Sequence, residues 1–271
     1  MTALDLLPPR WRSDRFLRTD APGWHDVEVV GDDEAVVVVV DSPHVERAVV
    51  GRGDAGRVRG LLADLARRRA GRPHGWMSVP RGTSPSDDVL AALGLRPFSS
   101  WDWFASTTCP DGLADRPPGG APAPALEPAA AVRELDRVAD AAEIRACLAE
   151  ANPGTSADPG GALEAAWFGV ADHDALVGVI GASLRPAADS AHAASWHLHG
   201  LGVRPRARRR GLGAALTAAA TTAGLRAGAP WVSLGMYADN AGARRIYERL
   251  GYVCEARFDS FGPPTAERPP S

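Results

Sequence analysis

No lysine occurs among the 271 residues, so all 30 basic side chains counted as Lys or Arg are arginine. That absence excludes a phosphate-binding P-loop, whose Gly-Lys-Ser/Thr ending cannot be built without lysine, and it excludes self-modification on lysine. Cysteine is scarce: Cys109, Cys147 and Cys254 are odd in number and lack zinc-ligand spacing, so neither a disulfide framework nor a metal site is expected. A reducing, cytoplasmic setting fits them. Long apolar runs are missing too. The longest aliphatic run, Val36–Val40, is far short of the roughly 20 residues of a membrane-spanning helix, and MTALDLLPPRWRSDR has no apolar leader core. No membrane partner is expected. A formal net charge of -3, with 23% charged and 45% hydrophobic residues, describes a globular chain without wholesale affinity for nucleic acid.

What the chain has instead is Ala, Gly and Pro, and they mark its organisation. DRPPGGAPAPALEP (115–128) breaks every apolar periodicity and reads as a semi-rigid linker. It divides the chain into residues 1–114, a linker over 115–130, and residues 131–271. After the linker, VRELD (132–136) suits a strand and 140–151 a helix with apolar residues at 144, 147, 148 and 151. Residues 165–186 read as two strands turning at Asp172–Asp174, and SWHLHGLGV (195–203) as another strand. A helix over 211–228, a strand over 230–237, a helix from an N-cap at Asn240 toward Gly251, and a closing strand complete the half.

The first half repeats this plan in shorter form. LGLRPFSSWDWF (93–104) aligns with LGYVCEARFDSF (250–261) at an offset of 157, bringing Trp101 onto Phe258. At an offset of 155, residues 55–79 lie on 210–234, matching Gly56 to Gly211, Leu61 to Leu216 and Trp76 to Trp231. An internal duplication is expected.

Residues 203–213, VRPRARRRGLG, sit between a strand and a helix. Backbone N–H groups at such a turn form an anion nest reinforced by the helix dipole, and glycines allow close approach. A pyrophosphate is the natural ligand. This stretch resembles the GNAT superfamily of N-acetyltransferases, whose Arg/Gln-x-x-Gly-x-Gly/Ala motif is matched by Arg208, Gly211 and Gly213. A second signature, an Asn opening a helix that carries Ala-x-x-x-Tyr and then a Gly-aromatic pair, is matched by Asn240, Ala243, Tyr247, Gly251 and Tyr252. The resemblance covers roughly residues 131–262. It implies an α/β (α+β) fold of two tandem GNAT-like domains, each a mixed, mostly antiparallel sheet flanked by helices.

The resemblance further implies acetyl-CoA as cosubstrate, without a metal, held by Leu201, Val203, Arg208, Arg209, Arg210, Gly211, Leu212, Gly213, Ala214 and Asn240. A bulge near Leu201–Val203 is implied to offer N–H groups to the thioester oxygen, and Tyr247 to protonate the departing thiolate. His197 and His199 share one face of their strand and are the base candidates. The acceptor is expected to be a primary amine of a small molecule or peptide, attacking directly. Glu143, Glu150, Asp158 and Glu164 are candidates to meet it.

In the first half, Arg208 becomes Gly53, Gly213 becomes Val58 and Tyr247 becomes Leu90 at the two offsets, so a degenerate copy is expected that shapes the substrate cleft or stabilises the pair but neither binds CoA tightly nor catalyses. GDDE (31–34) reads as a solvated turn or a face for a cationic substrate. Mycothiol synthase, a tandem member of the superfamily, is a specific enzyme alternative. A non-catalytic acyl-CoA-binding regulator and a nucleic-acid-binding module are readings from other classes. Monomer, as a pseudo-dimer within one chain, and homodimer both remain open.

Overall fold

The computed structural model describes residues 2–42, 45–69, 73–110, 132–187 and 193–267. The expected linker, 115–130, lies outside the described residues. Each half contributes strands to one 11-stranded sheet. The first half supplies β1 (His25–Gly31), β2 (Ala35–Asp41), β3 (Ala48–Gly53), β4 (Trp76–Pro80) and β5 (Arg96–Ser106). The second supplies β6 (Arg133–Leu135), β7 (Glu164–Asp172), β8 (Ala175–Arg185), β9 (Ser195–Val203), β10 (Val232–Tyr237) and β11 (Val253–Gly262). Their order is β1-β2-β3-β4-β11-β5-β10-β9-β8-β7-β6. All neighbours are antiparallel except β3–β4 and β9–β10.

The two sheets expected from the duplication are therefore merged, because the last strand of each half inserts into the other. Trp101 pairs with Phe258, Ser100 with Asp259 and Asp102 with Arg257. These partners exchange under the offset of 157, so a pseudo-twofold axis passes through the Trp101–Phe258 pair. Their rings stack at 4.7 Å and 26°. The axis also corrects one expected match. Ser78 faces Ser260 on β11, and Gly235 faces Trp103 on β5, which equates Ser78 with Gly235 and so Trp76 with Ser233, not with Trp231. In the helices the offset of 155 keeps its burial phase: Leu62, Leu65 and Ala66 are buried, as are Thr217, Ala220 and Thr221. The two-residue difference lies in the helix-to-strand connections.

Helices cover both faces. On one face lie α2 (Ala55–Arg69), α3 (Asp87–Leu93), α5 (Leu212–Arg226) and α6 (Ala241–Arg249); on the other lie the amino-terminal turns with α1 (Arg15–Asp20), and α4 (Ala141–Ala151). This explains why β2 is an unbroken AVVVVV run. Ala35, Val37 and Val39 pack under α2, while Val36, Val38 and Val40 pack under the amino-terminal segment, so alternate side chains both meet protein. Thr217 and Thr221, buried within α5, satisfy their hydroxyls on the carbonyls of Gly213 and Thr217 at 2.8 and 2.7 Å. No helix among the described residues is long and apolar enough to cross a membrane.

Candidate active site

β9 and β10 pair only from Trp196–Leu198 to Val232–Leu234. Beyond that they part: β9 continues along β8, whereas Gly235–Tyr237 pair with Trp101–Trp103 of β5. A V-shaped opening results. On its β9 side the register with β8 steps from Gly202–Val179 to His199–Gly181, so β9 carries one extra residue. Gly200, at φ +60°, supplies the left-handed turn of this bulge. The bulge thus sits at Gly200–Leu201, at the near edge of the expected 201–203 stretch. Asn152 anchors it by donating from Nδ2 to the Leu201 carbonyl at 3.3 Å.

After Val203 the chain makes a short 3₁₀ turn, Pro205–Ala207, and then the arginine loop. Arg209 (φ 65°) and Gly211 (φ 77°) both take left-handed conformations. Gly211 is the N-cap of α5 and caps nothing with a side chain. The opening N–H groups of α5, those of Leu212, Gly213 and Ala214, are therefore left without intrahelical partners, together with the positive end of a 15-residue dipole. A Cβ placed on Gly213 would meet no atom within 4 Å. Space and donors coincide here.

The arginines divide by role. Arg208 donates from Nε to the Val203 carbonyl at 3.0 Å and from Nη2 to the Ala151 carbonyl at 3.2 Å, so it braces the loop. Arg209 and Arg210 are exposed, the latter 3.6 Å from Asp172. At the corresponding start of α2, Asp54 accepts from the Arg57 N–H at 2.9 Å. A carboxylate of the chain thus occupies the helix end that α5 leaves bare. Asp32 and Glu34, of the acidic GDDE stretch, pair with Arg57.

On the face opposite α5, His197 Nδ1 lies 3.0 Å from Ser233 Oγ. With the Ser233 proton on the Trp196 carbonyl, 3.3 Å away, Nδ1–H is the donor to Ser233 and Nε2 keeps its lone pair, the tautomer a base requires. Burial, with smaller contributions from Arg185 and His199, holds the His197 pKa well below the ordinary 6.5. His199 Nε2 stands 3.1 Å from Glu164 Oε1 without the alignment of a hydrogen bond, and Glu164 Oε2 accepts from Trp167 Nε1 at 2.6 Å. Periodicity could not reveal this carboxylate beside His199, because it arrives from β7. Of the other acidic candidates, Glu150 pairs with Arg204 and Asp158 with Arg145, while Glu143 is exposed on α4.

Tyr247 and Asn240 belong to α6. Asn240 caps the helix by accepting from the Ala243 N–H at 3.0 Å. Tyr247 is buried between Phe104 and Tyr252, with ring centroids 6.2 and 6.0 Å away. Burial pushes its pKa up to about 12, so the phenol keeps its proton at any ordinary pH. Elsewhere, on the edge strand β1 and its neighbour β2, His25, Asp26 and Asp41 bring potential ligand atoms within 4.8 Å of one another, a grouping that cysteine counting does not anticipate.

Residues 138–252 match the profile of the Acetyltransferase (GNAT) family. A GCN5-related N-acetyltransferase from Kribbella flavida is similar over 96% of this chain and 97% of its own, at 22% identity and a TM-score of 0.52. A GNAT-family acetyltransferase from Colwellia psychrerythraea aligns over 84% of this chain and 80% of its own, at 10% identity and a TM-score of 0.51. A tandem GNAT protein from the clavulanic acid biosynthesis pathway aligns over 88% and 84%, at 19% identity and a TM-score of 0.47. No curated protein matches the sequence.

Proposed function

Residues 138–252 are a domain of the acetyltransferase (GNAT) family, and from that premise we propose that the chain moves an acetyl group from acetyl-CoA to the primary amine of a small molecule or peptide by direct attack. Residues 131–271 are the catalytic unit in this reading, and residues 1–114 a copy that has lost the cosubstrate site. The observation that carries it is the contrast between two helix starts. Gly211 leaves the start of α5 bare beside open space, whereas Asp54 caps the start of α2.

The amides of Leu212, Gly213 and Ala214 hold the pyrophosphate, with Arg209 and Arg210 adding charge and Arg208 bracing the loop. Asn240 fixes the start of α6. Amides at the β9 bulge, from Leu201 to Val203, face the thioester oxygen. A free alkylamine, with a pKa of about 10, is nearly all ammonium at neutrality, so its nitrogen must shed protons to react. His197 Nε2 accepts one as the N–C bond forms. The Glu164–His199 pair lies next along the same face as a further proton acceptor. As the C–S bond breaks, Tyr247 gives its phenolic proton to the sulfur.

His197→Gln tests the base and reads out twice. Thiol release from acetyl-CoA in the presence of amine is expected to slow by about 100-fold. The variant's stability should also change its pH dependence. Because the folded pKa lies below 6.5, the unfolded chain takes up the proton first; the wild type therefore loses stability as pH falls below 6.5. The variant's melting temperature should fall less between pH 7 and 5. Unchanged turnover would remove His197 from the mechanism.

A further inference from the structure

A cavity of about 850 Å³ opens on the face opposite α5 and α6, and it spans the pseudo-twofold axis. One end is bordered by His197 of β9 and by Gly235, Met236 and Tyr237 of β10, the strands that part at the V-shaped opening. Much of the remaining wall is built by the first half. Phe16, Trp24, Trp76, Trp101 and Trp103 line it, so four of the chain's eight tryptophans face one space. Among its described lining residues, Asp20 is the one acid and Arg185 the one arginine. His197 is neutral at working pH for the reason given above.

The aromatic walls are held in place. Trp101 donates from Nε1 to Ser260 Oγ at 2.7 Å and stacks on Phe258; Trp76 meets Phe98 edge-on at 4.9 Å; Phe16 contacts Trp101, Trp103 and Phe258 with centroids 5.9, 5.8 and 4.7 Å away. A pocket of this size with rigid aromatic walls binds a flat apolar body at little ordering cost. It is poorly suited to a polyamine, whose several ammonium groups need several carboxylates, or to an amino sugar, whose hydroxyls need many polar partners.

We infer that the acceptor is a primary amine carried on an aromatic body, the amine reaching His197 and the ring lying between the tryptophans of the first half. The inference rests on the acetyl-transfer reading, which it deepens by naming the substrate class. It also gives the degenerate half its work: having lost the cosubstrate loop, it supplies the walls that select the acceptor.

The test compares tryptamine with ethanolamine at saturating acetyl-CoA, following thiol release. The expected kcat/KM ratio is about 100-fold in favour of tryptamine, the value of burying one ring system. Trp24→Ala, at the partly exposed rim, should cost tryptamine about tenfold or more and leave ethanolamine and acetyl-CoA affinity unchanged. Tyr237→Ala, 52% exposed, is the second variant should Trp24→Ala fail to fold. Equal efficiency for the two amines would overturn the inference, as would a preference for a long-chain acyl-CoA that replaces the preference for tryptamine. Equilibrium binding of 3-methylindole, which has no amine, separates the two claims. If it binds, and binds more weakly to Trp24→Ala, while no amine is acetylated, the cavity assignment stands and the transfer reading falls. No binding removes the cavity assignment whatever the enzyme does.

Discussion

Tyr247→Phe is expected to lower kcat by about 100-fold or more while leaving acetyl-CoA affinity within about twofold. Its ring is buried in the core shared by α5, α6 and the sheet, and phenylalanine fills the same space without a new polar atom. The fold should therefore be indifferent to the change. The chemistry should not be, because a phenol whose pKa is raised to about 12 by burial is protonated whenever the departing thiolate needs a proton. Single-turnover rates measured beside acetyl-CoA titrations distinguish the two effects. Wild-type turnover in the variant would exclude Tyr247 as the acid and leave it a packing residue.

Asp102→Ala carries the second large effect, and it concerns how the halves are joined. Asp102, on β5 of the first half, has no exposed surface. It accepts from Arg81 Nη2 at 2.6 Å and from Arg244 Nη2, so one carboxylate holds a loop of the first half and α6 of the second. Arg244 also lies over the Phe104 ring, at 5.4 Å, one turn before Tyr247. Removing the carboxylate leaves two partly exposed guanidiniums facing an unneutralised space. Truncating one partner of a buried ion network costs about 3–5 kcal/mol when the remaining charge is fully buried, so about 3 kcal/mol is expected here. Thermal denaturation should show a drop of about 6–12 °C. Asp259→Ala supplies the contrast: Asp259 is the symmetry mate of Asp102, but its side chain is 29% exposed and its Arg81 partner stands 3.8 Å away. That change also removes the bonds Asp259 accepts from the Gly82 N–H at 3.0 Å and from Ser100 Oγ at 2.6 Å, and should cost about 1 kcal/mol. Equal losses for the two would mean that burial does not set the value of the network.

Much of the second half could be read from its sequence because local rules govern it. The periodicity over 140–151, the turn at Asp172–Asp174, the Asn240 cap and the glycines of the arginine loop each act within a few residues, and each element formed where those signals lie. What escaped was long-range. The exchange of β5 and β11 between the halves depends on strand pairing across about 157 positions, and no window of sequence reports it. Trp76 and Trp231 look alike in composition, yet the pairing of β4 and β10 equates neither with the other. Arg208 reads as a ligand for phosphate, but its guanidinium turns back onto two carbonyls that strand β9 and helix α4 leave open. Glu164 reached His199 from another strand, and Asp54 capped α2 because a helix end without a ligand takes the nearest carboxylate.

The central claim is that one cosubstrate site exists, at the start of α5, and calorimetric titration of the chain with acetyl-CoA tests it most directly, with Gly213→Trp as the partner measurement. Because nothing lies within 4 Å of a Cβ at Gly213, the variant should fold and melt like the wild type while its indole fills the ligand's space. The account predicts one site per chain in the wild type and none in Gly213→Trp. Two sites, or undiminished binding to the variant, would contradict it.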